Sequence, residues 1–325
     1  MRRAAMGRSF SVDGQDQWEE HVRLRTLLAG AVLVFALAAQ ASAADAVKIG
    51  FIPKFPVPFF APMENAAKEY ATANPGVEII FAQGASATDI EGQIAHIESM
   101  VTQGVQGIAL TPVDPTVAVA LDKAVAAGVK VVLMDNNIPD WNGRTALATT
   151  DNYAAGKIAG EHLKSVLKAG DTMGILEGVP GVPALDDRVK GMMEGLGGLD
   201  VKIVGRGGTD CTEEKGISLA EDILTANPDV TAIYAACGPP AAGAAQAIKN
   251  ANLVGKVILV GFDFCCGEEE ALEAGIENAT VAQFPTKMAS LGVDALVKAI
   301  RGEKVESLID SGAALVTKAN MADFK

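Results

Sequence analysis

The sequence predicts an α/β protein built from doubly wound parallel sheets, and three observations carry this. From Val47 onward, short apolar runs alternate without a break with segments of helical period. Those runs end in polar, Gly or Pro residues just before the next helical stretch, as buried parallel strands do. The composition is 49% hydrophobic but only 5% aromatic and is rich in Ala and Gly, which suits helices packed closely on sheets.

The first run, "VKIGFI" (47–52), breaks into "PKFPVPFFAP" (53–62), which sets Lys54, Phe59 and Phe60 between a strand end and a helix start. Next come "VEIIFA" (77–82), the helical "DIEGQIAHIESMVTQG" (89–104) and "GIAL" (107–110). The helical "TVAVALDKAVAAG" (116–128) closes on Gly128, a good C-cap, and leads to "KVVLM" (130–134), followed at once by Asp135 and Asn136. "ATTDNYAAGKIAGEHL" (148–163) passes from a short extended piece straight into a helix. Further strands are expected at "TMGILE" (172–177), "VKIVGR" (201–206), "AIYAA" (232–236), "VILVGF" (257–262) and "ATVAQF" (279–284). Cys237 follows the third of these and Asp263 the fourth. "AQFPTKMASLGV" (282–293) again crosses into a helix with no linker. Such crossings describe two lobes that share a hinge, and 325 residues suffice for both. In open α/β sheets, ligands bind outside the carboxyl ends of the strands, so the chemistry is expected there.

The chain carries 27 basic and 40 acidic residues, a net charge of −13, with no basic run, which argues against a nucleic-acid partner. Arg23 and Arg25 precede the apolar "TLLAGAVLVFALAAQ" (26–40), and "ASA" ends at Ala43. This is the pattern of a secretory leader cleaved after Ala43, and the run is short of the ~20 residues a membrane span needs. The polar residues 1–21 fit no leader and read as an extension, with Val22 as the start. Export implies an oxidising compartment. No dinucleotide fingerprint, phosphate loop or G-x-S-x-G elbow occurs, so neither an enzyme nor a cofactor is expected. No metal is expected either: the cysteines lack CxxC spacing, and past the leader the histidines are His96 and His162, both in helical segments.

"PFF" after the first strand, Asp135 after the fourth, "TDNYAAGKIAG", "VGFD" (260–263), "VAQFP" (281–285) and "AIRGEKV" (299–305) occur in this order. In these features the chain resembles the periplasmic sugar-binding proteins of the ribose/galactose type, the solute receptors of ABC importers. The resemblance covers almost all of 47–325. It implies a type I periplasmic binding protein: two Rossmann-like lobes joined by three hinge strands, 47–150 with 284–312 and 151–283 with 313–325. A secretory leader stands where the related repressors carry a DNA-binding headpiece.

The resemblance also implies roles. Phe59 and Phe60 would offer a ring to the C–H face of a sugar, the alternative being that both are core. Asp135 and Asp263 would grip hydroxyls from opposite lobes, the alternative being helix N-caps, and Gln283 would add an amide. Where ribose binders have arginines, this chain has Asn136 and Asp186, with Arg188 two places on. Cys237 stands for a pocket asparagine, Cys211 for an aromatic and Lys54 for a small polar residue. With two guanidinium forks lost and a carboxylate gained, the ligand expected is a polyol or an amino sugar paired with Asp186, rather than plain ribose. A Cys211–Cys237 disulfide is one outcome of the family's geometry, while adjacent Cys265 and Cys266 are expected to stay reduced or capped by another thiol. The expected partners are the sugar or polyol and a membrane permease, for a monomer in the periplasm. A role presenting ligand to a chemoreceptor or sensor kinase, or a secreted sugar-modifying enzyme, is the alternative.

Overall fold

A computed structural model describes residues 46–86 and 88–324; the leader and the extension before it lie outside the described residues. In the first sheet, β1 (Val47–Ile52) pairs on one side with β2 (Val77–Phe81) and on the other with β3 (Gly107–Leu110). Then follow β4 (Lys130–Met134), β5 (Ala146–Thr149) and β11 (Leu308–Asp310), all parallel. The order is β2-β1-β3-β4-β5-β11. The second sheet repeats it with β6 (Thr172–Glu177), β7 (Lys202–Gly208), β8 (Ala232–Ala235), β9 (Ile258–Asp263), β10 (Ala279–Gln283) and β12 (Ala313–Val316), in the order β7-β6-β8-β9-β10-β12. Only its edge strand β12 runs antiparallel, against β10. Each sheet reverses its winding beside its first strand, between β1 and β3 and between β6 and β8. That opens a crevice at the carboxyl ends.

The central strands β1, β3, β4, β5, β8 and β10 are buried on both faces, as their apolar runs require, while the edge strands β7 and β11 are partly exposed. Helices α1 (Ala61–Ala73) and α9 (Pro285–Ile300) cover one face of the first sheet, bringing Met63, Met288, Val293 and Leu296 onto Ile49, Phe51 and Val132. Helices α2 (Ile90–Thr102) and α3 (Ala118–Ala126) cover the other through Ile97, Met100 and Leu121. In the second sheet, α4 (Asn152–Val166) and α5 (Pro183–Gly195) cover one face, and α6 (Glu213–Ala226) and α7 (Gly238–Asn250) the other. The short α8 (Glu268–Glu273) follows β9. Among the described residues, no helix is long and apolar enough to cross a membrane.

The chain passes between the sheets three times: after β5, after β10 and after β11. Asp151 caps α4 by accepting from Ala154 N (2.9 Å), and Asp310 accepts from Asp151 N (3.0 Å). The hydroxyls of Thr150 and Ser311, both buried, lie 3.2 Å apart. The crossings are therefore tied side by side, which suits a hinge with few free torsions.

Helices α4 and α5 touch almost backbone to backbone. A Cβ on Gly156 or Gly160 would run into the carbonyls of Arg188 and Met192, and one on Gly191 into that of Tyr153. This contact fixes the rotation of α5 and with it the direction of Arg188. Gly160→Ala is expected to destabilise the protein by about 2–3 kcal/mol, because rigid backbone has to move; urea denaturation reads the change.

Candidate functional site

Two aspartates end strands in opposite sheets and carry backbone in the left-handed region: Asp135 after β4 (φ 61°) and Asp263 closing β9 (φ 89°). Such backbone is rare for a residue with a side chain and costs about 1 kcal/mol or more. Asp135 is held there by its N–H on the Ala148 carbonyl (2.9 Å) and by Thr149 Oγ1 donating to its own carbonyl (2.7 Å).

Asp263 sits at the centre of a satisfied network. Its Oδ1 accepts from Arg188 Nη1 (3.1 Å) and Gln283 Nε2 (2.6 Å). Its Oδ2 accepts from Gly238 N (2.9 Å) at the start of α7, where the helix dipole favours an anion. Arg188 is 4% exposed. It also donates to the Ala236 carbonyl and to Asn152 Oδ1, both at 2.8 Å, and lies 4.0 Å over the Phe262 ring. Helix α5 brings this guanidinium in two residues after Asp186, at the rotation its glycine contact sets, and its bonds go to protein partners. Asp186 itself is half-buried and lines a groove with Val189, Lys190, Met193 and Arg206, so the structure does not bring it to this network.

Asp135 lies within electrostatic reach of Lys54 and, across the two sheets, of Arg188 and Asp263. Burial pushes the Asp135 carboxyl up to about 6, against the pull of Lys54 and Arg188 and with the push of Asp263. Burial also holds the Lys54 ammonium below the usual lysine value, with Asp135 acting against it. Asn136 is half-buried, its N–H on the Met134 carbonyl (2.7 Å).

The phenylalanines divide. Phe60 precedes α1, is 6% exposed and belongs to the core with Met63 and Phe51. Phe59 is half-buried, edge-on to Phe60 at 5.1 Å between ring centres. Both rings pack at this strand end, Phe60 within the core cluster and Phe59 at its edge. Gln283 is buried, and its Oε1 has no hydrogen-bond partner, an acceptor left open at the end of β10.

A disulfide joins Cys211 to Cys237, with Cα atoms 6.0 Å apart, and ties the loop after β7 to the start of α7. Cys265 and Cys266 are also joined, as a vicinal disulfide. This corrects the expectation of free or capped thiols. Their Cα atoms stand 3.8 Å apart, as across any trans peptide bond, and the pair lies where the chain bends sharply from Asp263 through Phe264 (φ 56°) to Gly267 (φ 104°). Sequence reasoning missed Asn152, whose signal was only its place in "TDNYAAG". It also missed Tyr234, whose buried hydroxyl lacks a partner and senses the charges of Arg188 and Asp263.

Two such lobes, with acidic strand ends turned into the crevice beside a tied hinge, define a two-lobed solute receptor rather than an enzyme. The chain belongs to the periplasmic binding protein family: the family model described as a periplasmic binding protein domain matches residues 49–304. It is 30% identical over 293 residues to the ribose import binding protein RbsB of Haemophilus influenzae, spanning 88% of this chain and 96% of that protein. A solute-binding protein of an ABC transporter from Actinobacillus succinogenes, solved with bound D-allose, shares the fold at a TM-score of 0.78 and 26% identity, covering 85% of this chain and 99% of that one. Another from Burkholderia graminis, in complex with D-arabinose, gives a TM-score of 0.78 at 29% identity, covering 86% and 97%.

Proposed function

We propose that this protein captures an uncharged monosaccharide or sugar alcohol between its lobes, in the periplasm after leader cleavage near Ala43, and delivers it to an ABC importer in the membrane. The observation that carries the reading is the pair Asp135 and Asp263, on opposite lobes yet within electrostatic reach. Vicinal hydroxyls donate hydrogen bonds, and a carboxylate accepts two. Asp263 is already held by three protein donors, so it orients Arg188 and Gln283 as much as it binds. The open Gln283 Oε1 suits one more hydroxyl, and Phe59 suits the C–H face of the ring. Ribose, D-allose and D-arabinose, the sugars in the names of the related proteins, are of this class.

The charge balance favours a neutral ligand. Lys54 lies beside Asp135 and Arg188 is paired with Asp263, while Asp186 lines a different groove and supports no ammonium contact. Contacts that bridge the lobes favour the closed state and shift the population about the hinge.

Thermal melting of the exported chain against pentoses, hexoses, polyols and amino sugars tests the reading. A neutral sugar or polyol is expected to raise the melting temperature by linkage; an amino sugar as the sole hit, or no shift from any member, overturns it. With the ligand in hand, Phe59→Ala is expected to weaken binding about tenfold, the worth of an aromatic contact, and, as a half-buried ring at the edge of the cluster, to cost less stability than the next variant. Phe60→Ala is expected to cost about 3–5 kcal/mol of stability as a core truncation. Calorimetric titration and urea denaturation separate the two.

A further inference from the structure

Just beyond Asp263 the chain assembles a second group of polar side chains that sugar capture does not use. Cys265 Sγ, Cys266 Sγ and a carboxylate oxygen of Glu268 lie within 4.8 Å of one another. Glu268 is 1% exposed. One of its oxygens accepts from the Cys266 N–H, and the other, Oε1, is buried with no hydrogen-bond partner. That free oxygen and the Cys266 sulfur converge on one small space over Gly238: a Cβ there would stand 2.7 Å from Oε1 and 3.2 Å from Sγ. Behind lies Glu277, 2% exposed, with no side-chain partner and within electrostatic reach of Glu268. Buried carboxylates are ordinarily paired with a cation or bound to a metal. Among the described residues neither has an ion-pair partner. The two cysteines are only half-buried, so the site opens to solvent on its sulfur side.

We propose that Cys265, Cys266 and Glu268 form a binding site for a thiophilic divalent metal ion of the zinc and cadmium class, open only when the vicinal disulfide is reduced. A dithiol reductant passes two electrons and two protons to the sulfur pair. The Cys265–Cys266 bond breaks, two S–H bonds form, and the reductant becomes a cyclic disulfide. The metal ion then displaces both thiol protons to solvent and takes two thiolates and Glu268 Oε1, with the fourth tetrahedral position left to water. Metal–sulfur bonds of about 2.3 Å and metal–oxygen bonds of about 2.0–2.2 Å place tetrahedral ligand atoms roughly 3.5–3.8 Å apart. The Glu268 oxygen lies within 4.8 Å of both sulfurs and closes on them by about an ångström at most, while the sulfurs, bonded to each other in the oxidised state, separate to this spacing once reduced. In the oxidised state the sulfurs are bonded to each other and cannot act as thiolate ligands.

The test uses the exported chain carrying Cys211→Ser and Cys237→Ser, so that the vicinal pair alone supplies thiols. After dithiol reduction and anaerobic removal of the reductant, it is titrated with Cd²⁺. Thiolate-to-cadmium charge-transfer absorption and calorimetry are followed together. One Cd²⁺ per chain is expected on the reduced form and none on the oxidised form. Glu268→Gln is expected to keep the absorption band but weaken binding at least tenfold. Should the serine variant fail to fold, reduced wild type is compared with Cys265→Ser/Cys266→Ser, which is expected to lose one equivalent. Absence of cadmium binding on the reduced protein, undiminished binding in Cys265→Ser/Cys266→Ser, or an unchanged affinity in Glu268→Gln overturns the site.

Discussion

Arg188→Ala is expected to cost about 3–5 kcal/mol of stability in urea denaturation and to abolish measurable sugar binding. The guanidinium is buried and bonds three groups from three elements: Asn152 at the start of α4, the carbonyl of Ala236 after β8, and Asp263 at the end of β9. Removing it leaves Asp263 as a buried carboxylate short of its cation, and breaking one side of a buried pair costs about that much. It also empties the space over Phe262, where the ring face stabilises the cation. The same change takes away one of the three donors that orient Asp263, leaving Gln283 and Gly238, so affinity goes with stability. Arg188→Met retains much of the packing and is expected to lose less stability than the alanine variant while still failing to bind. A double-mutant cycle with Asp263→Asn checks the pairing: the two losses should fall well short of additive. Additive losses would mean that the guanidinium acts through packing alone.

Much of this was legible in the chain, for reasons that can be traced. The parallel strands β1, β3, β4 and β6 are continuous apolar runs bounded by polar or Gly residues, and the observed strands have the bounds read from those runs. The two hinge-side strands β11 and β12 were not legible. β11 is three residues at a half-exposed edge, and β12 is four residues that gain their pairing only by running antiparallel to β10. Both follow the last long helix and so stand outside the strand–helix alternation that marks the others. Asp135 and Asp263 stood out because a carboxylate directly after an apolar strand has few structural excuses. Arg188 was harder to place. Sequence position pairs Asp186 with the ligand, whereas the rotation of α5 is set by glycines that let α4 approach, a tertiary fact with no local trace. The Ala236 carbonyl and the vicinal disulfide were hidden for similar reasons. The first is backbone, and the second depends on left-handed turns at Asp263 and Phe264 that no propensity favours. Phe59 and Phe60 read as equivalent, yet at a helix start adjacent side chains point about 100° apart, so Phe60 lies within the core and Phe59 half-buried at its edge.

Asp135→Asn is expected to make the ligand-free protein more stable at pH 7.5 and to reduce sugar affinity by at least a hundredfold. The first effect follows from burial, which raises the folded-state pKa to about 6, well above the ordinary aspartate value. The folded chain then prefers the protonated acid. That contribution is complete below the unfolded pKa and is lost as the pH rises through 6. Each pKa unit is worth about 1.4 kcal/mol, and partial exposure of the residue reduces the whole to about 1–2 kcal/mol. Urea denaturation of the wild type should therefore show this loss between pH 4 and 7, and the asparagine variant should lack it. Ligand binding runs the other way, because sugar hydroxyls need the ionised carboxylate as acceptor. At pH 5 only about one molecule in ten carries it, so wild-type affinity should fall about tenfold from its value at pH 7.5. The variant, already weak, should bind with no pH dependence in this range. The two profiles separate the possible roles of the group. A stability slope with pH-independent binding would leave Asp135 as a strained strand end that never meets the ligand. Opposite slopes, both erased by one substitution, would mean that this carboxylate is held at a cost to folding because the captured sugar requires its charge.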